Sequence, residues 1–388
     1  MDKSISDGGV MQRAGAPFLT ITSSTIAVGL LLLARSSALA VPGADADLPD
    51  IRVSAEHGHI HDQIALGNAY LSGRGVHQDY KQAAYWYEKA AGAGDPDAQN
   101  EIGYFYQIGL GVSSDPVRSV HWFQLAAAGG LLDAKVNLAV AYMWGEGVQQ
   151  NQRLAEQLIR EAADKGSGIG ATYMGEMYYF GIGERQDQAS AEPWYEKGAK
   201  LHNSLALYRL GVILSRPADH PRNLRRSAAL MREAASSGFV PAMHSLALLM
   251  INHPEFMTSQ AEALSLLNEA AADGTWKSSV VLGILSREGK LVPDDDKDAY
   301  FHFRVAALQG GDEAATLVAN DLKKLENKLG ANLKAEVDTD ASNWVKQHSV
   351  PLELVYNTSE RPLRFPAFAL SSTAPDIHAV GLVPTKPL

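Results

Sequence analysis

This chain of 388 residues contains no cysteine. That absence excludes a disulfide scaffold, zinc held by thiolates, a thiol nucleophile and a lipid anchor on cysteine. Basic residues are the minority, 34 Lys and Arg against 44 Asp and Glu, for a net charge of −10. A duplex-binding protein needs the opposite sign, because it must neutralise phosphates, so no nucleic-acid partner is expected. The chain has no HExxH, GxSxG or SxxK, so the common hydrolase signatures are missing. Nothing in it calls for a cofactor. Its hydrophobic share of 46% argues against bulk disorder.

Long apolar runs are scarce as well. The one that stands out is Ile26-Ala-Val-Gly-Leu-Leu-Leu-Leu-Ala34, nine residues in length. That is too short to cross about 30 Å of hydrocarbon as a helix. A polar start with Lys3 and Arg13 precedes it, and Ala38-Leu-Ala40 follows with the small-x-small pattern that signal peptidases accept. Residues 1–40 therefore read as an export signal cleaved near Ala40, with Met11 as an alternative start. The competing reading keeps the segment as an uncleaved anchor, and Arg35 speaks for it. The expected location is periplasmic or secreted, with no membrane span in the mature form.

What the chain does have is a period. Gly67, Gly103, Ala139, Gly175, Gly211, Ala247 and Gly283 lie 36 residues apart. Ala319 continues the series. Alanine pairs repeat in the same register at 90–91, 126–127, 162–163, 234–235, 270–271 and 306–307, with Gly198-Ala199 as the lapse. A third column runs Gly94, Gly130, Gly166, Gly238, Gly274 and Gly310, broken at His202. Fixed periods of this length mark repeat architectures. The first column fits a helix that a neighbour approaches closely, the alanine pair its partner helix, and the third-column glycine a left-handed helix end. Tyr70, Tyr106, Tyr142 and Tyr178 fall three residues after the first column, and Trp86, Trp122 and Trp194 share one column of the second helix. Such periodic aromatics are expected in the core, not around a cofactor. The fold class is all-α, a solenoid of about seven 36-residue helix–turn–helix units whose stacking makes one continuous core.

The segments ALGNAYLSGRGV at 65–76 and DYKQAAYWYEKAA at 79–91 resemble the Sel-one-like repeat (SLR), a relative of the tetratricopeptide repeat. Gly73-Arg-Gly75, Gly109-Leu-Gly111, Gly145-Glu-Gly147 and Gly181-Ile-Gly183 match that family's inter-helix turn. Units five and six depart from it, with Arg216-Pro-Ala-Asp-His-Pro221 and His253-Pro-Glu-Phe256 at the equivalent points, so their turns should have another shape. Unit seven partly recovers the pattern with Arg287-Glu-Gly-Lys290. The expected organisation is a signal peptide over 1–40, an N-terminal cap segment over 41–60, the solenoid over 61–325, a capping helix over 326–348 and a Pro-rich disordered tail over 349–388. Within the caps, 46–58 reads as a remnant second helix, 312–327 as a further first helix and 331–348 as a closing amphipathic segment.

Candidate chemical sites have simpler explanations. The Gly-x-Gly pairs never extend to a phosphate-binding loop and recur with the period, so they are turns. His57, His59 and His61 lack the carboxylates that would complete a metal site, so no metal is assigned. Asp294, Asp295, Asp296 and Asp298 lack calcium-loop spacing and suit a helix N-terminus. Asn357-Thr-Ser359 is a glycosylation sequon that matters only in a eukaryotic host. Recognition is left. With Ile102, Gly103 and Tyr106 in the core, Asn100, Tyr104 and Gln107 form another stripe of the same helix. Thr172, Glu176 and Tyr179 match it in unit four, and Trp144 extends it in unit three. By resemblance to tetratricopeptide arrays, whose superhelix is right-handed, this stripe lines a concave groove that takes a protein or peptide. The alternative is that neighbouring helices cover it. The family resemblance implies a non-enzymatic scaffold of the bacterial envelope, one that regulates a sensor kinase or supports exopolysaccharide or secretion machinery. A cell-wall or β-lactam-related hydrolase and a eukaryotic luminal quality-control adaptor are the alternatives.

Overall fold

The computed structural model describes residues 48–182, 186–216 and 223–348. The leader, the Pro-rich tail with its sequon, Gly183 and most of the unit-five turn lie outside the described residues.

A short α1 (Leu48–Glu56) opens the array. Six full helix pairs follow: α2 (Ile60–Ser72) with α3 (Tyr80–Gly92), α4 (Pro96–Ile108) with α5 (Pro116–Ala128), α6 (Leu132–Trp144) with α7 (Gln152–Asp164), α8 (Gly168–Phe180) with α9 (Gln188–Lys200), α10 (Ser204–Ser215) with α11 (Leu224–Ser236), and α12 (Val240–Asn252) with α13 (Gln260–Ala272). The seventh pair is α14 (Trp276–Glu288) with the start of α15 (Asp296–His348). Each helix packs on the next along the chain, and among the described residues there is no strand. The architecture is an α-solenoid.

The helix starts are set by one column of capping residues. Asp79, Asp115, Asn151, Asp187, Asn223, Ser259 and Asp295 each accept from backbone N–H groups of the first turn of a second helix. These contacts satisfy donors that the helix itself leaves unpaired. The acidic run before α15 thus has a structural role: Asp295 accepts from the Lys297 and Asp298 amides at 2.8 and 3.1 Å.

The first small column does one thing throughout, which is to make room for the side chain 20 residues later. A Cβ on Gly103 would lie 2.8 Å from the Phe123 ring, on Gly175 2.7 Å from Tyr195, on Gly211 2.9 Å from Met231 and on Gly283 2.8 Å from Phe303. Gly67 is looser, at 3.4 Å from Tyr87. Where the column is alanine, the residue 20 positions on is Ile159 or Leu267, in the same core clusters as Ala139 and Ala247. Glycine therefore stands opposite rings and a long methionine, and alanine opposite branched aliphatic chains. Interiors are packed too densely for the choice to be free.

The turns carry the contact between units. In unit two, a Cβ on Gly111 would sit 2.1 Å from the Tyr80 carbonyl oxygen at the start of α3, and in unit three one on Gly147 would sit 2.1 Å from that of Pro116 at the start of α5. Both glycines hold positive φ, 65° and 67°. In these two units the second turn glycine thus lets the turn rest on the backbone of the previous unit's second helix. Unit six does differ, as its sequence predicts, with a single 3-10 turn at Pro254–Phe256. In unit seven Leu291 takes the second-glycine position and its left-handed backbone, φ 63°.

The third column behaves as a helix end. Gly58, Gly94, Gly130, Gly166, Gly238 and Gly274 have φ of 89–97°, and His202 adopts the same region at 56°. At the carboxyl end the break comes one residue past the column. Within α15 the helical backbone is interrupted at Gly311 (φ 59°) and Gly330 (φ 75°), which separates the end of unit seven from two capping segments. Val337 and Ala341 of the last segment are buried, Trp344 meets Phe301 edge-on, and Lys297–Glu336 and Arg304–Asp338 ion pairs hold it to unit seven.

Candidate interaction face

The stripe of the first helices is built by the same register that builds the core, and the next unit decides its exposure. Asn100, Tyr104, Glu176 and Tyr179 are buried, Gln107 is half-buried, and Trp144 is 38% exposed. Most of the stripe is covered, which corrects the expectation of an open row of aromatic and polar groups. The physical reason is that consecutive first helices bond to one another along it. The Asn137 side-chain amide donates to Asn100 Oδ1 at 2.8 Å. Thr172 donates its hydroxyl to Asn203 Oδ1 at 2.7 Å, Gln107 reaches Glu146 at 3.4 Å, and Arg216 donates to the Tyr179 hydroxyl at 2.9 Å. The first helices of units three and four, α6 and α8, also touch directly.

Glu176 is the centre of the strongest of these contacts. Its carboxylate has no exposure and receives Arg209 Nε at 2.7 Å and Nη2 at 2.9 Å, a two-point pairing from α10 onto α8. The Tyr195 hydroxyl donates to the same carboxylate at 2.6 Å, and Arg209 lies over the Phe180 ring at 5.3 Å. Burial and then Glu176 push the Tyr195 pKa well above its ordinary value. Burial alone would lower that of Arg209, but the carboxylate beside it holds it above the ordinary guanidinium value. The geometry is that of a sealed structural pair: a hydrogen-bonded carboxylate of this kind is not open to a substrate. The partner, Arg209, was not legible as such, because its pairing depends on the stacking angle between units.

Trp144 is different. It ends α6, and the residues 36 positions before and after it, Ile108 and Phe180, end α4 and α8. Both are half-buried against the core clusters. The repeat register puts the three in equivalent places, where first helices meet their turns, and the Gln107 side chain beside Ile108 reaches Glu146, two residues past Trp144. Elsewhere, the His57 and His59 rings bond to the backbone carbonyls of Val53 and Ser54 at 2.6 and 3.1 Å. Among the described residues no group of three or more His, Asp or Glu is placed to hold a metal, and no helix is long and apolar enough to cross a membrane.

Among solved structures the chain is similar to a Sel1 repeat protein from Oxalobacter formigenes, at 24% identity over 64% of this chain and 99% of that one, with a TM-score of 0.53. It is also similar to a protective antigen present in uropathogenic Escherichia coli strains that displays an SLR fold, at 23% identity over 79% and 73%, TM-score 0.44. An immunity protein from Pseudomonas aeruginosa matches at 20% identity over 69% and 88%, TM-score 0.36. No curated protein matches the chain. The Sel1 repeat family model matches residues 61–95, 96–131, 132–167, 169–203, 204–239 and 280–311, leaving out unit six, whose 3-10 turn departs from the repeat. With more than half its length in those six matches, the chain belongs to the Sel1 repeat family, whose members generally serve as protein-interaction scaffolds.

Proposed function

We propose that this protein is an exported, non-catalytic scaffold of the bacterial envelope that binds a protein or peptide at the edge formed by Ile108, Trp144 and Phe180. The observation that carries this reading is Trp144, an aromatic left 38% exposed at the end of a first-helix stripe that is otherwise mostly covered. A tryptophan presented on a rigid array, flanked by half-buried apolar neighbours, has the make-up of an interface hot spot. Because the helix pairs are already packed, little ordering entropy is lost on binding. Gln107 and Glu146 supply polar contacts at the rim, whereas Asn100, Tyr104, Glu176 and Tyr179 act by holding the edge in place. The leader pattern supports export, with a mature chain beginning at Val41.

Capture of partners from cross-linked envelopes of the producing cell tests the edge. Trp144→Ala is expected to lose most of the captured protein while its helical circular dichroism matches wild type. Equal capture by both would remove the edge from consideration. Export is tested separately: the mature protein should fractionate with the periplasm or medium, with Val41 as its first residue.

A further inference from the structure

We infer that the junction between units six and seven is a joint that opens in acid, with His244 as its trigger. The imidazole lies on α12, is 2% exposed, and bonds through Nδ1 to Ser278 Oγ of α14 at 2.8 Å. Its Nε2 is buried and has no partner, and the neighbouring Ser245 Oγ is also buried without one. A neutral ring tolerates this position. A protonated ring would carry a second N–H with no acceptor into a water-excluded interface, and buried charge without pairing is costly.

No side chain around it relieves that charge. From α14 the group that acts on it is Lys277, a like charge. On α11, Arg232 is paired with Glu262 and Glu233 with His202. On α13, Glu262 faces Arg232 and Glu269 takes the Ser265 hydroxyl, and in the 3-10 turn Glu255 faces His253. Burial first, and Lys277 second, push the imidazole down to about 4. His302, a half-buried histidine whose pKa is also lowered by burial, differs because Asp298 stands 3.6 Å away and offsets its charge.

Two further features place the joint here. The turns of units six and seven lack the glycine that docks units two and three on their predecessors, since unit six has a 3-10 turn and unit seven has Leu291. The interface itself is rich in small hydroxyls, with Ser245, Ser278 and Ser279 all buried. The unit four to five junction is the opposite, with its buried charges fully paired.

The sign follows from linkage. A histidine whose folded pKa is depressed binds its proton more readily when the interface is open, so stability holds above about pH 6.5 and is lost as pH falls toward the folded value. Hydrogen exchange of the full chain, read by mass spectrometry and corrected for intrinsic rates, tests it at neutral pH and about pH 4. Protection of residues 240–252 and 276–288 is expected to fall at least about tenfold more than that of 168–180 and 204–215. His244→Asn should keep that protection in acid. Loss beginning in 168–180, a uniform loss, or the same loss in His244→Asn would overturn the inference. Should the variant not fold, the wild-type imidazole proton followed by NMR gives a second measure. A midpoint near 4 that coincides with the exchange transition supports the joint, whereas a midpoint at the ordinary value overturns it.

Discussion

Units one to four and units five to seven stack the same helices, yet they secure the stack differently. In units two and three of the amino-terminal block the turn is a fastener: Gly111 and Gly147 bring the turn backbone within contact of the Tyr80 and Pro116 carbonyls of the unit before. In units six and seven that fastener is altered, by a 3-10 turn and by Leu291, and the carboxyl-terminal block carries side-chain ion pairs between units. Arg209 reaches back to Glu176, Arg232 reaches forward to Glu262, and Arg287 pairs with Asp321 of the cap. The helix-pair core tolerates either solution because the small residue of the first helix and the bulky one of the second are unchanged in kind across all seven units. What varies is how one unit is tied to the next, and that is the property a scaffold can tune without losing its fold.

The comparison is broken most severely by removing a side-chain tie. Glu176→Gln leaves the buried Arg209 guanidinium without its counter-charge, and we expect a loss of about 3–5 kcal/mol in chemical denaturation. Replacing Glu176 and Arg209 together by Met and Leu should recover most of it, since the pair as a whole is worth little over apolar packing. A loss below about 1 kcal/mol for Glu176→Gln would mean that the pair does not tie the blocks.

A turn tie comes next. Gly147→Ala places a methyl at 2.1 Å from a backbone oxygen and forces a positive φ on a residue with a side chain. Backbone has to move, at a cost of about 3 kcal/mol or more. The matching change in the other block, Leu291→Gly, relieves a strained φ and loses a half-buried side chain, so its net effect should stay within about 1 kcal/mol. Equal effects at 147 and 291 would erase the distinction between the blocks.

The helix-pair core sharpens the comparison from the other side, because there the two blocks should behave alike. Gly175→Ala, against Tyr195 at 2.7 Å, is expected to cost about 1–3 kcal/mol, and Gly283→Ala against Phe303 about as much. Ile159→Phe should be tolerated in an Ala139→Gly background better than alone, with a coupling of about 1 kcal/mol in a double-mutant cycle. Additive changes would show that the 20-residue pairing is not a size match.

These contrasts also show how far the chain could be read without coordinates. The 36-residue register, the remnant helix at α1, the altered turn of unit six and the breaks near Gly311 and Gly330 follow from local rules: spacing, small residues and turn formers. The left-handed helix ends are local too, and were legible as glycines. The size match between Gly103 and Phe123 spans only 20 residues and was present in the columns, but it shows itself only when the two helices are folded together. The exposure of the first-helix stripe was not legible at all. Tyr104 and Tyr179 have the same spacing as a surface stripe, and their burial is decided by the pitch between units, which sets whether Asn137, Asn203 or Arg216 reaches across. His244 was silent for the same reason, being one more residue on an apolar helix until Ser278 is placed beside it.

The smallest expected effect comes from the single lapse in the third column. His202 holds φ 56°, where every other member from Gly58 to Gly274 is glycine, and its Nδ1 lies 2.5 Å from Glu233 Oε1 on the next unit's second helix. Left-handed backbone costs a residue with a side chain about 1–2 kcal/mol, which His202→Gly would relieve. Against that, glycine adds unfolded-state freedom of similar size, and an exposed contact to Glu233 is worth little. The net change should lie within about 1 kcal/mol, read as a shift of a few degrees at most in the melting temperature. A clear loss on His202→Gly would mean that the His202–Glu233 contact is a tie between units four and five in its own right. The carboxyl-terminal block would then begin with a surface fastener added to the buried one at Glu176.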